Sequence, residues 1–149
     1  MSRRLAAALA AVVLGLGVAA CSDEGSAEGV SVSSGPTAEA APQNGATLDA
    51  QEFAAALKRE GTIILDVRTP EEFAEGHLEG AVSMDVESPD FAAKASALDP
   101  TASYAVYCRS GNRSAVAVQA LTGAGFASVY HLEGGIQAWE DAGGAVVTS

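Results

Sequence analysis

The sequence is short of several things at once. Its 149 residues include two cysteines, two histidines, one tryptophan and 8 basic side chains against 19 acidic ones. Two cysteines, Cys21 and Cys108, cannot supply the disulfide framework of a small secreted scaffold. The formal charge is -11, and no cluster of Lys and Arg occurs downstream of Arg4, which argues against nucleic acid, whose phosphates require such clusters. The same charge argues against electrostatic attachment to anionic lipid. Scattered histidines and one remaining thiol do not make a zinc site, so no metal and no cofactor is expected. Aromatic residues are missing from the first 52 positions. All eight lie between Phe53 and Trp139, so the segment that can pack a core starts near residue 46. About 105 residues remain for it, enough for a single small domain.

What is present at the N-terminus belongs to another category. Much of the 48% hydrophobic content sits in one unbroken Ala/Val/Leu/Gly run from Leu5 to Ala20, preceded by Ser2-Arg3-Arg4. That is the layout of a secretory signal peptide, and a run of about sixteen residues is short for a membrane span. Val18-Ala19-Ala20-Cys21 resembles the lipobox of bacterial lipoproteins, which implies acylation of Cys21 and cleavage before it. The organisation expected is therefore a signal peptide over 1–20, a lipidated and disordered tether over 21–45, and a domain over 46–149. A protein built this way is lipid-anchored at a cell membrane and faces the extracytoplasmic side. The tether stretch has no aromatic residue, no Leu or Ile, and two prolines, too little apolar surface to offset its chain entropy. Cleavage removes Arg3 and Arg4, leaving 6 basic against 19 acidic side chains, a formal -13.

The domain alternates two kinds of segment. Asp49 suits the N-cap of a helix through Phe53 and Leu57, stopped by Gly61. Thr62 to Val67 is a β-branched, apolar run that reads as a buried strand. Pro70 with Glu71-Glu72-Phe73 opens a second helix that ends at Gly76. Ala81 to Met84 is a weaker strand, and Phe91 to Leu98 a helix closed by Asp99-Pro100. Tyr104 to Tyr107 is a strand, Ala115 to Leu121 a helix, Val129 to Leu132 a strand and Ile136 to Ala142 a helix. Strands and helices at this spacing imply an α/β fold with a central parallel sheet and helices on both faces.

In such sheets reactive groups gather past the carboxyl ends of the strands, and Cys108 stands there. The loop after it is Arg109-Ser110-Gly111-Asn112-Arg113-Ser114, which has no apolar member and so predicts exposure. A turn of converging amides at a helix N-terminus makes an anion nest, which favours thiolate over thiol. The pattern points to a nucleophile made ionic by its cradle. With Cys21 acylated, Cys108 has no partner for a disulfide.

The sequence resembles the rhodanese-type single-domain sulfurtransferases over Thr47 to Val147. The motifs that carry the resemblance are Leu65-Asp66-Val67-Arg68 with Pro70-Glu71-Glu72-Phe73, Gly76-His77-Leu78-Glu79-Gly80-Ala81, the loop from Cys108 to Ser114, Gly125-Phe126, and Leu132-Glu133-Gly134-Gly135-Ile136-Gln137-Ala138-Trp139. The resemblance implies a persulfide formed on Cys108. Sulfur would pass from a donor such as thiosulfate to a thiophilic acceptor, cyanide or a small-molecule or protein thiol. It also implies that Arg109, Ser110, Gly111, Asn112, Arg113 and Ser114 hold the substrate sulfur. Glu79 stands where many members carry proline, and Met84-Asp85 replaces an Ile-Pro pair; neither change touches the loop.

Two rivals frame this reading. Tyrosine phosphatases resemble Cys-x5-Arg-Ser/Thr, whereas Arg113 and Ser114 follow Cys108 as Cys-x4-Arg-Ser, a tighter ring that suits one sulfur better than a tetrahedral phosphate. Phosphatase or arsenate reductase activity is thereby the minor alternative. The other is a sensing or binding module in which Cys108 is reversibly oxidised. Asp66 and Arg68 are expected to form a supporting structural pair, His77 to be structural, His131 to be packed on its strand, and Trp139 to be core. Arg109 and Arg113 are expected to focus an anionic donor on the sulfur.

Overall fold

The computed structural model describes residues 29–32 and 35–149. The signal-peptide run and Cys21 lie outside the described residues. The elements are β1 (Thr47–Leu48), α1 (Ala50–Leu57), β2 (Thr62–Asp66), α2 (Pro70–Glu75), β3 (Val82–Ser83), α3 (Phe91–Ser96), β4 (Ser103–Tyr107), α4 (Asn112–Gly123), β5 (Ser128–Leu132) and α5 (Gly135–Asp141).

Local chemistry starts the first two helices. The Asp49 carboxylate accepts from the Gln51 and Glu52 N–H groups at 2.9 and 2.8 Å, and Glu52 accepts from the Asp49 N–H at 3.1 Å. Thr69 and Glu72 repeat this reciprocal cap before α2, with Pro70 in its first turn. Each cap satisfies amide donors that the helix itself leaves free.

The strands form one five-stranded sheet in the order β1-β5-β4-β2-β3, and every neighbouring pair is parallel. β4 is central, with Leu65 opposite Val106 on one side and Tyr104 opposite Val129 on the other. Successive side chains point to opposite faces. Tyr104, Val106 and Cys108 therefore join Leu65 and Val67 against Phe91 and Ala95 of α3 and Ala117, Val118 and Leu121 of α4. Ala105 and Tyr107 face the other way, with Tyr130 and Leu132, onto Phe53 and Ala56 of α1 and Ile136 and Trp139 of α5. Phe53 meets Tyr130 and Trp139 edge-on, with ring centroids 6.3 and 6.4 Å apart. Each such large side chain withdrawn from water contributes about 1.5–3 kcal/mol. Trp139 is core as expected, and its indole N–H donates to the Ala145 carbonyl at 2.9 Å.

Three features differ from the sequence reading. β1 is a two-residue edge strand paired with His131 and Leu132, too short to show a period. α4 begins at Asn112 and not at Ala115, so the second half of the cysteine loop is already helix. The described part of the expected tether, 29–32 and 35–45, lies against the domain. Val30 is buried and its N–H donates to the Ala142 carbonyl at 2.8 Å, and the Ala38 N–H donates to Ala55 at 2.9 Å. The Asn44 side chain accepts from the Val129 N–H and donates to the Phe126 carbonyl, both at 2.9 Å. Backbone groups of an irregular stretch find partners at exposed helix and strand ends, which a count of its apolar residues does not reveal.

Candidate active site

Cys108 is the first residue past β4, and the even-odd alternation of that strand aims its side chain at α4. Gly111 is the N-cap of α4 with φ +99°, a left-handed conformation that glycine adopts without strain. That turn points the Gly111 N–H at the Cys108 sulfur, 3.1 Å away. A side chain at Gly111 would also press on the Gly134 nitrogen, with its Cβ 3.2 Å from it. From the other side, α5 grips the cysteine backbone. The Ile136 N–H donates to the Cys108 carbonyl at 2.8 Å, and a Cβ on Gly135 would collide with the same carbonyl. The pair of glycines before Ile136 thus exists to let one helix start against the peptide of the cysteine.

Burial pushes the Cys108 thiol up, but the Ser114 hydroxyl and the backbone N–H groups of Ser114, Gly111 and Ser110 outweigh it. The net effect holds the thiol below its ordinary value. The N-terminus of the twelve-residue α4 adds its own positive potential. The arrangement favours the sulfur anion over the thiol without a base in contact. Exposure follows a different pattern from the one expected. Arg109, Ser110 and Asn112 are exposed, while Cys108 itself is only 1% exposed, at the floor of its loop.

The two arginines also part company. Arg113 is engaged: its guanidinium donates to both Glu72 carboxylate oxygens at 2.8 Å, and Glu87 lies 3.4 Å away. Its charge is compensated, which corrects the expectation that it focuses an anionic donor. The pairing ties α4 to α2 and lowers Glu72 to about 2, chiefly through the Arg113 hydrogen bond. Nothing in the loop sequence announced it, because Glu72 lies 41 residues away. Arg109 has no such partner and stands on the rim of a polar cleft of about 260 Å³, with Arg68, Glu75, Gln137 and Glu140. A larger, apolar cleft of about 360 Å³, between Phe91, Leu98, Leu121 and Phe126, contains no loop residue.

Asp66 and Arg68 form the expected structural pair. Asp66 is fully buried, and Arg68 donates to it through Nε and Nη2, at 2.9 and 2.6 Å, and through its own backbone N–H at 3.0 Å. The Tyr107 hydroxyl donates to Asp66 at 2.7 Å and accepts from the Leu78 N–H at 3.1 Å. Arg68 also donates to the Gly76 carbonyl at 2.7 Å. His77 is structural as well, its Nδ1 lying 2.9 Å from the Phe73 carbonyl and its ring stacked on Phe73 at 3.7 Å. His131 is buried on β5, but it touches Thr47 and Ser114, a contact the sequence reading did not include. Among the described residues no three His, Cys, Asp or Glu side chains gather as a metal site would need, and no helix is long and apolar enough to cross a membrane.

The model of the rhodanese-like domain matches residues 49–142. The chain belongs to the rhodanese-like domain family. As a rhodanese-like protein it is 40% identical, over 89 residues, to the thiosulfate sulfurtransferase GlpE of Pseudomonas entomophila, a match that covers 59% of this chain and 79% of that one. The corresponding enzyme of Stutzerimonas stutzeri is 39% identical over 89 residues, again 59% and 79% of the two chains. Among solved structures, a rhodanese-related protein from Thermoplasma volcanium superposes with a TM-score of 0.63 at 32% identity, covering 70% of this chain and 99% of that one. A rhodanese-like domain protein from Staphylococcus aureus gives 0.60 at 27% identity, covering 70% and 98%. At family level the rhodanese-like chain is a sulfurtransferase-like enzyme, with the α/β fold expected of it.

Proposed function

We propose that Cys108 is the sulfur carrier of a thiosulfate sulfurtransferase. The observation that carries this reading is the convergence of the Gly111 N–H, at 3.1 Å, and the Ser114 hydroxyl on a sulfur at the N-terminus of α4. The relatives named thiosulfate sulfurtransferase point to the donor. In the first half-reaction the Cys108 thiolate attacks the outer sulfur of thiosulfate. A sulfur–sulfur bond forms to Cys108, the bond to the sulfonate sulfur breaks, and its electron pair leaves with sulfite. In the second, cyanide or a thiolate attacks the outer sulfur of the persulfide, and Cys108 departs as the thiolate it began as. No net redox change falls on the protein. The loop amides of Ser110, Gly111 and Ser114 stabilise negative charge on sulfur in both states, and Arg109 draws the donor anion to the rim.

The test is direct. Reduced protein incubated with thiosulfate is expected to gain 32 Da on the Cys108 peptide, the mass of one sulfur atom, and cyanide is expected to remove it. Cys108→Ser is expected to gain nothing. A reduced wild-type protein that stays unmodified overturns the reading.

The reading extends to location. Cys21 acylation would hold this domain at the extracytoplasmic face of a membrane, a reading that rests on the lipobox-like Val18-Ala19-Ala20-Cys21 alone. Cys21→Ser is expected to abolish incorporation of labelled fatty acid; unchanged incorporation, or none in the parent chain, rules the anchor out.

A further inference from the structure

His131 is a buried titratable side chain that the transfer chemistry leaves idle. It lies on β5, 7% exposed, with Nδ1 3.0 Å from the Ser114 hydroxyl and Nε2 3.0 Å from the Thr47 hydroxyl. The Ser114 oxygen is in turn 3.0 Å from the Gly111 carbonyl oxygen and 3.5 Å from the Cys108 sulfur. A hydroxyl has one proton and two lone pairs, so three partners compete for it. Burial lowers the His131 pKa, with Glu133 opposing in part, so the imidazole is neutral near pH 7 and carries a single N–H.

We propose that His131 is a positioning residue for the sulfur. It keeps its proton on Nδ1, donates it to Ser114, and so reserves the Ser114 hydroxyl proton for the Cys108 thiolate. The inference rests on Cys108 as the reacting thiol. Hydrogen-bond counting separates the two tautomers. With the proton on Nε2, Ser114 must spend its proton on Nδ1, and it then turns lone pairs toward both the Gly111 carbonyl and the sulfur anion. With the proton on Nδ1, every group is matched. The Thr47 hydroxyl donates to Nε2, Nδ1 donates to Ser114, and the thiol S–H fills the second lone pair of Ser114 while the Ser114 proton rests on Gly111. When the thiol ionises, its proton leaves to water and the Ser114 hydroxyl turns from the Gly111 carbonyl to the sulfur. That carbonyl is not stranded, because the Ala115 N–H also donates to it at 3.1 Å.

Few other charges act here. His131 meets Thr47 from β1 and Ser114 from α4, and Glu133 is the charged group that bears on it. Cys108 feels Arg113, whose charge is held by Glu72 and Glu87. Arg113, raised further by Glu72, keeps its charge over the pH range in which the thiol titrates.

The experiment measures the rate of Cys108 alkylation against pH in the full chain, read on the Cys108 peptide by mass spectrometry so that Cys21 does not contribute. His131→Leu removes the donor that holds and polarises the Ser114 hydroxyl, and is expected to raise the midpoint of thiolate formation by about half a pH unit and to slow alkylation about threefold on the acid side. His131→Asn, whose amide N–H stands near the position of Nδ1, is expected to restore the wild-type midpoint. In the Ser114→Ala background His131→Leu is expected to add no shift. Nitrogen-15 NMR of the wild-type imidazole, assigned with the aid of His77→Gln, is expected to show the proton on Nδ1. An unshifted midpoint in His131→Leu, no recovery in His131→Asn, or a proton on Nε2 overturns the proposal. The alkylation profile involves no sulfur donor, so a failed persulfide assay with an intact profile would count against the transfer reading and not against His131.

Discussion

Two neighbouring strands end in buried charge, and they handle it in opposite ways. At the end of β2, Asp66 is locked by Arg68 and by the Tyr107 hydroxyl. At the end of β4, the Cys108 sulfur faces amide and hydroxyl dipoles and no side-chain cation in contact. A full opposing charge at 2.6 Å makes an ion pair that holds structure together and leaves nothing to react. Dipoles stabilise a thiolate while leaving its lone pairs to attack. The protein places its permanent charge where it needs rigidity and its switchable charge where it needs chemistry.

Breaking the first of these should cost the most. Asp66→Ala leaves Arg68 buried without its partner and is expected to destabilise the fold by about 3–5 kcal/mol in denaturant titration. At low denaturant the Cys108 alkylation midpoint should stay put, which would show the two sites to be separable. Gly111→Ala comes next. The left-handed φ there costs a side-chain-bearing residue about 1–2 kcal/mol, and the displaced N–H should raise the thiolate midpoint as well. A smaller effect is expected for Arg113→Gln, about 1 kcal/mol or less for a partly exposed pair. The sign with pH follows from Glu72. Its carboxyl titrates near 4.5 when unfolded and at about 2 when paired, so the pair's contribution is complete above the first value and fades as pH falls toward the second. The stability gap between parent and Arg113→Gln should therefore narrow between those two pH values, and a constant gap contradicts the pairing. Arg109→Gln should be the mildest, raising KM for thiosulfate on the order of a few-fold with kcat and melting temperature little changed.

Much of this was legible beforehand, and the rest had a physical reason to be hidden. The strand ending at Tyr107, the helix after the loop and the glycines before Ile136 are local patterns, so residues within a few positions of one another reveal them. Cys108 could be named from its place between a strand and a helix, and Gly111 and Ser114 from the loop motif that carries the family resemblance, and they do meet at the sulfur. What escaped depends on contacts between distant segments. Thr47 lies on a strand of two residues, yet it meets His131 84 positions away. Arg113 looked like a free cation because its carboxylates come from α2 and from Glu87 near α3. The burial of Cys108 was hidden for the same reason, since an all-polar loop signals exposure, whereas Leu65, Val67 and Met84 from distant segments pack with the cysteine and α5 approaches its backbone.

That approach has a further consequence for how the domain can diversify. Surface loops ordinarily accept insertions and deletions at little cost, because their ends have slack. This one has none. Its first carbonyl is held by the Ile136 N–H, its turn leaves so little room that a Cβ on Gly111 would stand 3.2 Å from the Gly134 nitrogen, and its second half is the first turn of a helix. An added or deleted residue would have to move α4 and α5 together, so loop length is fixed while side chains on the rim are not. New acceptor or donor preferences are therefore reachable by substitution at Arg109, Ser110 and Asn112, one residue at a time, with the sulfur cradle left as it stands.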